Sequence, residues 1–406
     1  MRLNKDIDEF AYEHEKNVLD AMWFYSDAKP ICPFPPRSIW IEITTNCTLK
    51  CKFCAHRTME RSGGTMDLDL FKKVIQDINE MLIEFGDKEM TEISLTRWGE
   101  PLMQTNLDEY IAVVKEYGLY AYIPTNGTVM NAQKRKLILD SAVDKMNISV
   151  DTIEDERHLE VMGIPIHKRM INILSLFKER IEAGRQYPIV EVSMVKYSGY
   201  EKEVDLFTRF FDLVGADRTN VGDCFNLFGT IDIDFDPKDK TGPCMNPWYC
   251  LGVYFDGRAT FCLQDPEGDD TCIGNLKDFS LTELWNNQRA QEIRSAVWEI
   301  DEESFPSCQN CNVNVYHRYQ LKPFFEAFVD YAQRMKTLDA TQIDLPEYLY
   351  LTHLQSIKSG AMLSRNRELS LNVIDEVIGR LSDKKERFFD IAQDVVTKYS
   401  KSILDE

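Results

Sequence analysis

Between residues 38 and 223, short runs of β-branched and apolar residues alternate with longer stretches whose apolar residues recur every three to four positions. SIWIEITT (38–45) has the composition of a strand, and DLDLFKKVIQDINEMLIEF (67–85) has the spacing of an amphipathic helix. The alternation continues through TEISLT (91–96), LDEYIAVVKEYG (107–118), LYAYIPT (119–125), AQKRKLILDSA (132–142) and KMNISVD (145–151). HKRMINILSLFKERIEAG (167–184), IVEVSMV (189–195), EVDLFTRFFDLVG (203–215) and DRTNVGD (217–223) complete it. Six such units predict an α/β fold with a parallel sheet, and six repeats suit a partial (β/α)6 barrel better than a closed eightfold one. Chemistry in either form belongs at the C-terminal ends of the strands.

After residue 223 the pattern changes. Residues 224–245 are rich in Gly, Asp and Pro and read as loops. CLGVYF and RATFCL flank Asp256-Gly257, a favoured tight-turn pair, and predict a hairpin. LTELWNNQRAQEIRSAVW (281–298) reads as one helix, and from about 320 the pattern is helical to the end. The expected organisation is a helical N-terminal extension (1–36), the barrel (37–223), a small cysteine-rich hairpin and helix domain (224–320) and a helical C-terminal extension (321–406). In that last part, KPFFEAFVDYAQRM carries an apolar stripe that by default packs on the barrel or on another subunit, and that could also cap the active site.

Composition narrows the function. The chain of 406 residues has 47 basic and 67 acidic side chains, a net charge of −20, which argues against a nucleic-acid-binding surface. No apolar run approaches the roughly 18 residues of a membrane span. The charged start MRLNKDIDEFAYEHEK lacks a secretory core, so a cytoplasmic location is expected.

Eleven cysteines are unusual in such a chain, and they are clustered. Without an export signal they read as metal ligands or redox groups before structural disulfides. Cys47, Cys51 and Cys54 stand at C-x3-C-x2-C just after the first strand. Three thiolates in one loop can hold three irons of a [4Fe–4S] cube and leave the fourth iron open. A zinc site with His56 as fourth ligand is the alternative. Later, Cys244 and Cys262 flank the hairpin and Cys308-Gln-Asn-Cys311 follows. Four thiolates from these segments suit one metal site, and on spacing alone a zinc ribbon and an iron–sulfur cluster both remain open. Cys32, Cys224, Cys250 and Cys272 are left over, and a small buried hydrophobe is the default reading of each.

At the first cluster the sequence resembles the radical S-adenosylmethionine (SAM) superfamily, whose C-x3-C-x-Φ-C signature is matched by Cys47, Cys51, Phe53 and Cys54. The resemblance implies a cluster whose open iron chelates SAM, reductive cleavage to a 5′-deoxyadenosyl radical, and abstraction of a substrate hydrogen atom. Phe53 is then the aromatic residue near the adenine. RWGEPLM (97–103) is similar to the family's GGEP motif, with Gly99, Glu100 and Pro101 retained and Trp98 in place of the first glycine. Thr125 and Asn126 match its TNG, and Ser149 and Asp151 match its ribose-side SxD, so these residues are expected to contact SAM. The arginine expected about a dozen residues after that motif is absent.

The second half resembles the SPASM and twitch extensions of these enzymes. The further cysteine of a full SPASM extension is replaced by His317, which implies one auxiliary [4Fe–4S] cluster, ligated by Cys244, Cys262, Cys308 and Cys311. Four ligands saturate that cluster and make it an electron conduit. AHRTMERSGGTM (55–66) and the single-cluster second half most resemble aminocyclitol dehydrogenases of the superfamily. The implied reaction is oxidation of a sugar, aminocyclitol or similar small polar metabolite, with the auxiliary cluster as electron acceptor and a flavodoxin- or ferredoxin-type reductant. Redox-neutral epimerisation, with Cys224 as hydrogen donor, and modification of a ribosomal peptide are the catalytic alternatives. Some 37 residues precede the first strand, fewer than the peptide-binding domain many peptide-modifying relatives carry there. A zinc-bound interaction protein is the non-enzymatic alternative.

Overall fold

The computed structural model describes residues 30–86, 91–196, 202–227, 231, 244, 246–299, 305, 308, 311–312 and 367–404. The expected N-terminal helix, His317 and the KPFFEAFVDYAQRM stretch lie outside the described residues.

Six parallel strands follow one another across the sheet in chain order: β1 (Ser38–Ile41), β2 (Glu92–Ser94), β3 (Tyr120–Thr125), β4 (Lys145–Ser149), β5 (Ile189–Lys196) and β6 (Arg218–Asp223). Between them run α1 (Leu68–Glu84), α2 (Leu107–Glu116), α3 (Ala132–Asp140), α4 (Asp155–Met162), α5 (Ile166–Glu182) and α6 (Val204–Leu213). Helix α1 shows why these segments are helical. Asp67 caps it by accepting from the amides of Asp69 and Leu70, and Phe71, Val74, Ile75, Ile78, Met81 and Leu82 form one buried stripe. Helix α4 escapes the hydrophobic pattern because only His158, Val161 and Met162 turn inward along its eight residues, which end at the left-handed Gly163.

The cysteine-rich half extends the same sheet. Strand β7 (Cys250–Val253) pairs in parallel with β1, Ser38 opposite Cys250, and β8 (Arg258–Thr260) and β9 (Cys272–Asn275) follow antiparallel. The strand order is therefore β6-β5-β4-β3-β2-β1-β7-β8-β9, an open barrel wall with the hairpin added beyond β1. Gly257 takes φ +90° in the expected turn.

The 281–298 segment is two helices, α8 (Leu281–Trp285) and α9 (Gln288–Glu299), preceded in the chain by the short α7 (Asn246–Tyr249). Two asparagines cause the break. Asn286 clasps the backbone of Cys32, accepting from its amide and donating to its carbonyl, while Asn287 accepts from the Ala290 amide and caps α9. Cys32 itself is fully buried, and its thiol donates to the Phe34 and Trp248 carbonyls, the structural role expected by default. Helices α10 (Arg367–Ser382) and α11 (Phe388–Leu404) lie on the outer helices α5 and α6 rather than over the strand ends, with Phe388 edge-on to Phe210 at 5.1 Å. Among the described residues, no helix is long and apolar enough to cross a membrane.

Candidate active site

Cys47, Cys51 and Cys54 lie in the loop leaving β1, followed by a 3-10 turn at Ala55–Arg57. The loop is fixed by main-chain bonds: Cys54 N donates to Cys51 O (3.1 Å), and Lys52 N donates to Val161 O of α4 (3.0 Å). Burial raises all three thiols, Cys54 to about 11, and for Cys51 the charges of Asp151 and Cys54 add to burial. Crowded, desolvated thiols of this kind become thiolates when a cationic metal group replaces their protons. His56 has Nε2 against the Thr45 carbonyl at 2.8 Å, while its Nδ1 is buried without a partner among the described residues.

The strand ends beside this loop form one connected polar network. Gly99 packs so closely that a Cβ there would stand 2.0 Å from the Thr44 carbonyl oxygen, and Glu100 N donates to Asn46 O at 2.7 Å. Pro101 starts a 3-10 turn in which it and Leu102 are buried. The Glu100 carboxylate, raised by burial, accepts from Leu102 N (3.0 Å), Thr125 Oγ1 (2.7 Å) and Asn126 N (2.7 Å). Asn126 Nδ2 in turn donates to Cys47 Sγ at 3.6 Å. At the end of β4, Ser149 donates to Asp151, which is fully buried at φ +68° and accepts from Val195 N. The motif residues of β2, β3 and β4 thus meet at the cysteine loop.

Arg169 is the residue that sequence reasoning missed. It comes from α5, 2% exposed, and donates to the Asn126, Val150 and Ser149 carbonyls and to His158 Nε2. His158 Nδ1 faces the Ile164 carbonyl at 2.8 Å, so the imidazole is neutral, its pKa lowered to about 3 by burial and then by Arg169. The available signal was a charge inside an apolar stripe, beside Met170 and Ile173.

Phe53 packs between Val161 and Met162 on one side and Ala55, Leu227 and Ile231 on the other, where Trp98 and Phe225 join it. The Trp98 Nε1 is buried and finds no acceptor among the described residues. Cys224 directly follows β6 and is 7% exposed, its thiol pushed up to about 12 by burial and by Asp151. Its segment is clasped by Asn312: Asn312 Nδ2 donates to Cys224 O (3.2 Å), and Asn226 and Asn312 exchange amide-to-side-chain bonds at 2.9 and 3.2 Å.

Cys244, Cys262, Cys308 and Cys311 line one cavity, with Phe261 and Val297 in its wall. Burial raises Cys244 and Cys262 well above the usual thiol range; neighbouring charges add to it, Asp265 first for Cys262, and Cys311 and Cys308 for both. Cys250 and Cys272 do not line the cavity; they begin β7 and β9, and the Cys272 thiol donates to Gly274 O. Among the described residues, which include all seven thiols of the two sets, no three His, Cys, Asp or Glu converge tightly enough to hold a single metal ion. Four thiols around one cavity are a donor set that fits a [4Fe–4S] cluster.

The radical SAM superfamily model matches residues 41–195, and the SPASM iron–sulfur cluster-binding domain model matches residues 244–312. The chain carries a radical SAM domain followed by a SPASM domain. As a radical SAM enzyme with a SPASM domain it uses SAM and two [4Fe–4S] clusters, one SAM-binding and one auxiliary. It is 23% identical over 318 residues to the tungsten-containing aldehyde ferredoxin oxidoreductase cofactor-modifying protein of Pyrococcus furiosus, covering 68% of this chain and 87% of that one. It is 21% identical over 277 residues to the S-adenosyl-L-methionine-dependent 2-deoxy-scyllo-inosamine dehydrogenase of Niallia circulans, covering 68% of this chain and 92% of that one. The crystal structure of Streptococcus suis SuiB bound to precursor peptide SuiA shares the radical SAM fold with a TM-score of 0.52 at 16% identity, covering 75% of each chain.

Proposed function

We propose that this radical SAM enzyme dehydrogenates a small polar metabolite of the sugar or aminocyclitol class. The carrying observation is the Asn312 clasp, which joins the thiol-lined cavity to the Cys224 segment at the strand ends. An electron leaving a substrate at those strand ends has the four-thiol site as its neighbour. The 2-deoxy-scyllo-inosamine dehydrogenase similarity, over nearly the whole of that relative, supports the substrate class.

In this reading Cys47, Cys51 and Cys54 hold the SAM-binding cluster, and Cys244, Cys262, Cys308 and Cys311 hold the auxiliary one. Bound SAM and its cluster supply the hydrogen-abstracting radical, and the auxiliary cluster supplies an electron acceptor. The protein's own part is orientation and exclusion of water. Glu100 and Arg169 lock the Thr125–Asn126 and Ser149–Asp151 strand ends beside the cysteine loop, presenting the Gly99 backbone and these residues to SAM. Phe53, Trp98, Phe225, Leu227 and Ile231 wall the site against water, and the Trp98 indole N–H, without an acceptor among the described residues, is a donor for a polar substrate. A flavodoxin- or ferredoxin-type protein would supply the first electron.

Cys224 favours a second reading, redox-neutral epimerisation. Burial and Asp151 keep it a thiol at neutral pH, the form that can donate a hydrogen atom. Anaerobic turnover with deuterated aminocyclitols and sugars separates the two. Dehydrogenation predicts substrate deuterium in 5′-deoxyadenosine and one SAM consumed per oxidised product. Solvent deuterium in the product, lost in Cys224→Ala, would replace it with epimerisation.

A further inference from the structure

Arg97 stands at the end of β2, immediately before the Trp98-Gly99-Glu100 motif, yet its side chain leaves the SAM side. Its Nη2 donates to the carbonyl of Cys262 at 2.8 Å and to the carbonyl of Asp265 at 3.2 Å. The guanidinium lies 4.2 Å from the centre of the fully buried Tyr254 ring, and a Cβ at Gly252 would stand 2.5 Å from its Nη1. Arg97 is 8% exposed, and its Nε and Nη1 are buried without a partner among the described residues. A buried guanidinium with two orphaned donors is costly, and native structures keep such groups where something compensates. Here it adjoins the backbone of a cysteine that lines the four-thiol cavity. The buried Asp265 carboxylate feels the Arg97 charge, and its Oδ1 accepts from the Glu267 and Gly268 amides.

We propose that Arg97 is a positioning residue for the auxiliary site whose buried charge raises the reduction potential of the cluster held there. The inference rests on the proposed ligand set Cys244, Cys262, Cys308 and Cys311. A cluster bound by four thiolates is anionic and gains one more negative charge on reduction, so a fixed cation in a low-dielectric wall stabilises the reduced form. Net charge and hydrogen bonding around the ligands are levers that set such potentials. Arg97 would also fix the Cys262 peptide through the 2.8 Å bond. Its place between the two thiol sets means one short segment serves both: backbone toward SAM, side chain toward the electron acceptor.

The test uses the full-length chain, anaerobically reconstituted, with Cys47, Cys51 and Cys54 replaced by Ala so that only the auxiliary cluster is read. Iron content comes first: no iron in this background would overturn the ligand set and this inference with it. With about four irons present, an EPR-monitored potentiometric titration compares the background with Arg97→Lys, Arg97→Met and Arg97→Gln. The expected result is a shift to more negative potential in the two neutral variants and a near-background value in the lysine variant. Unchanged potentials in Met and Gln variants that retain their iron would overturn the proposal. So would loss of iron in both neutral variants, which would make Arg97 a structural clasp only. None of these readouts needs substrate turnover, so they stand apart from whether the enzyme is a dehydrogenase.

Discussion

Glu100 illustrates how single residues build this site. Its carboxylate takes three donors from two strand ends, so the β2 and β3 motifs act as one unit. Arg169 does the same for β3 and β4 through three carbonyls, and it adds to the burial that keeps His158 neutral. That neutrality has a pH consequence. With a folded pKa near 3 and an ordinary value of 6.5, the unfolded chain takes up a proton below pH 6.5 that folded His158 refuses. Stability is therefore unaffected above that pH and falls as pH drops toward 3, by up to about 1.4 kcal/mol per unit. His158→Gln can still accept from Arg169 and donate to Ile164, without titrating. Urea unfolding of the apoprotein at pH 7 and pH 5 should show wild type losing more stability than this variant, and parallel losses would contradict the assignment. The motif residues were legible because the pattern put each at a strand end. Arg169 was not, because it lies 18 positions beyond Asp151 and on another element, where only the fold brings it back.

Among the elements, most of the parallel strands and their helices follow the periodicity, since they bury an apolar face of their own; the short α4 and the half-exposed β6 do not. What the periodicity cannot show is which distant strands meet. The β1–β7 pairing joins residues 38–41 to 250–253 and makes the cysteine-rich hairpin part of the barrel sheet. Local pattern carries no information on such a contact, and the same holds for the break at Asn286 and Asn287, whose side chains answer to Cys32 and Ile273. The C-terminal helices behave as outer packing. Phe388 is fully buried on α11 against Phe210 of α6. Phe388→Ala should destabilise the protein by about 3–5 kcal/mol, as truncation of a core aromatic does, while leaving the iron content of folded protein unchanged. Thermal unfolding together with iron assay checks both halves. A loss of iron without loss of stability would place α11 in the site instead.

For the whole molecule, the hairpin fused to the sheet means the two thiol sets are held by one continuous framework. Glu267 accepts from the amides of Glu60 and Arg61, Arg61 pairs with the buried Glu42, and Arg97 reaches Cys262. The Glu267 and Arg97 bridges tie the cavity that would hold an electron acceptor to the part of the fold that would generate a substrate radical. The central claim is therefore two clusters with separate ligands, one open and one saturated. Iron and sulfide content of anaerobically reconstituted protein tests it most directly, in wild type, in Cys47/Cys51/Cys54→Ala, and in Cys244/Cys262/Cys308/Cys311→Ala. The account predicts about eight irons and eight sulfides in wild type and about four of each in either variant. About four irons in wild type, all lost with Cys47, Cys51 and Cys54, would contradict it and remove the auxiliary electron acceptor.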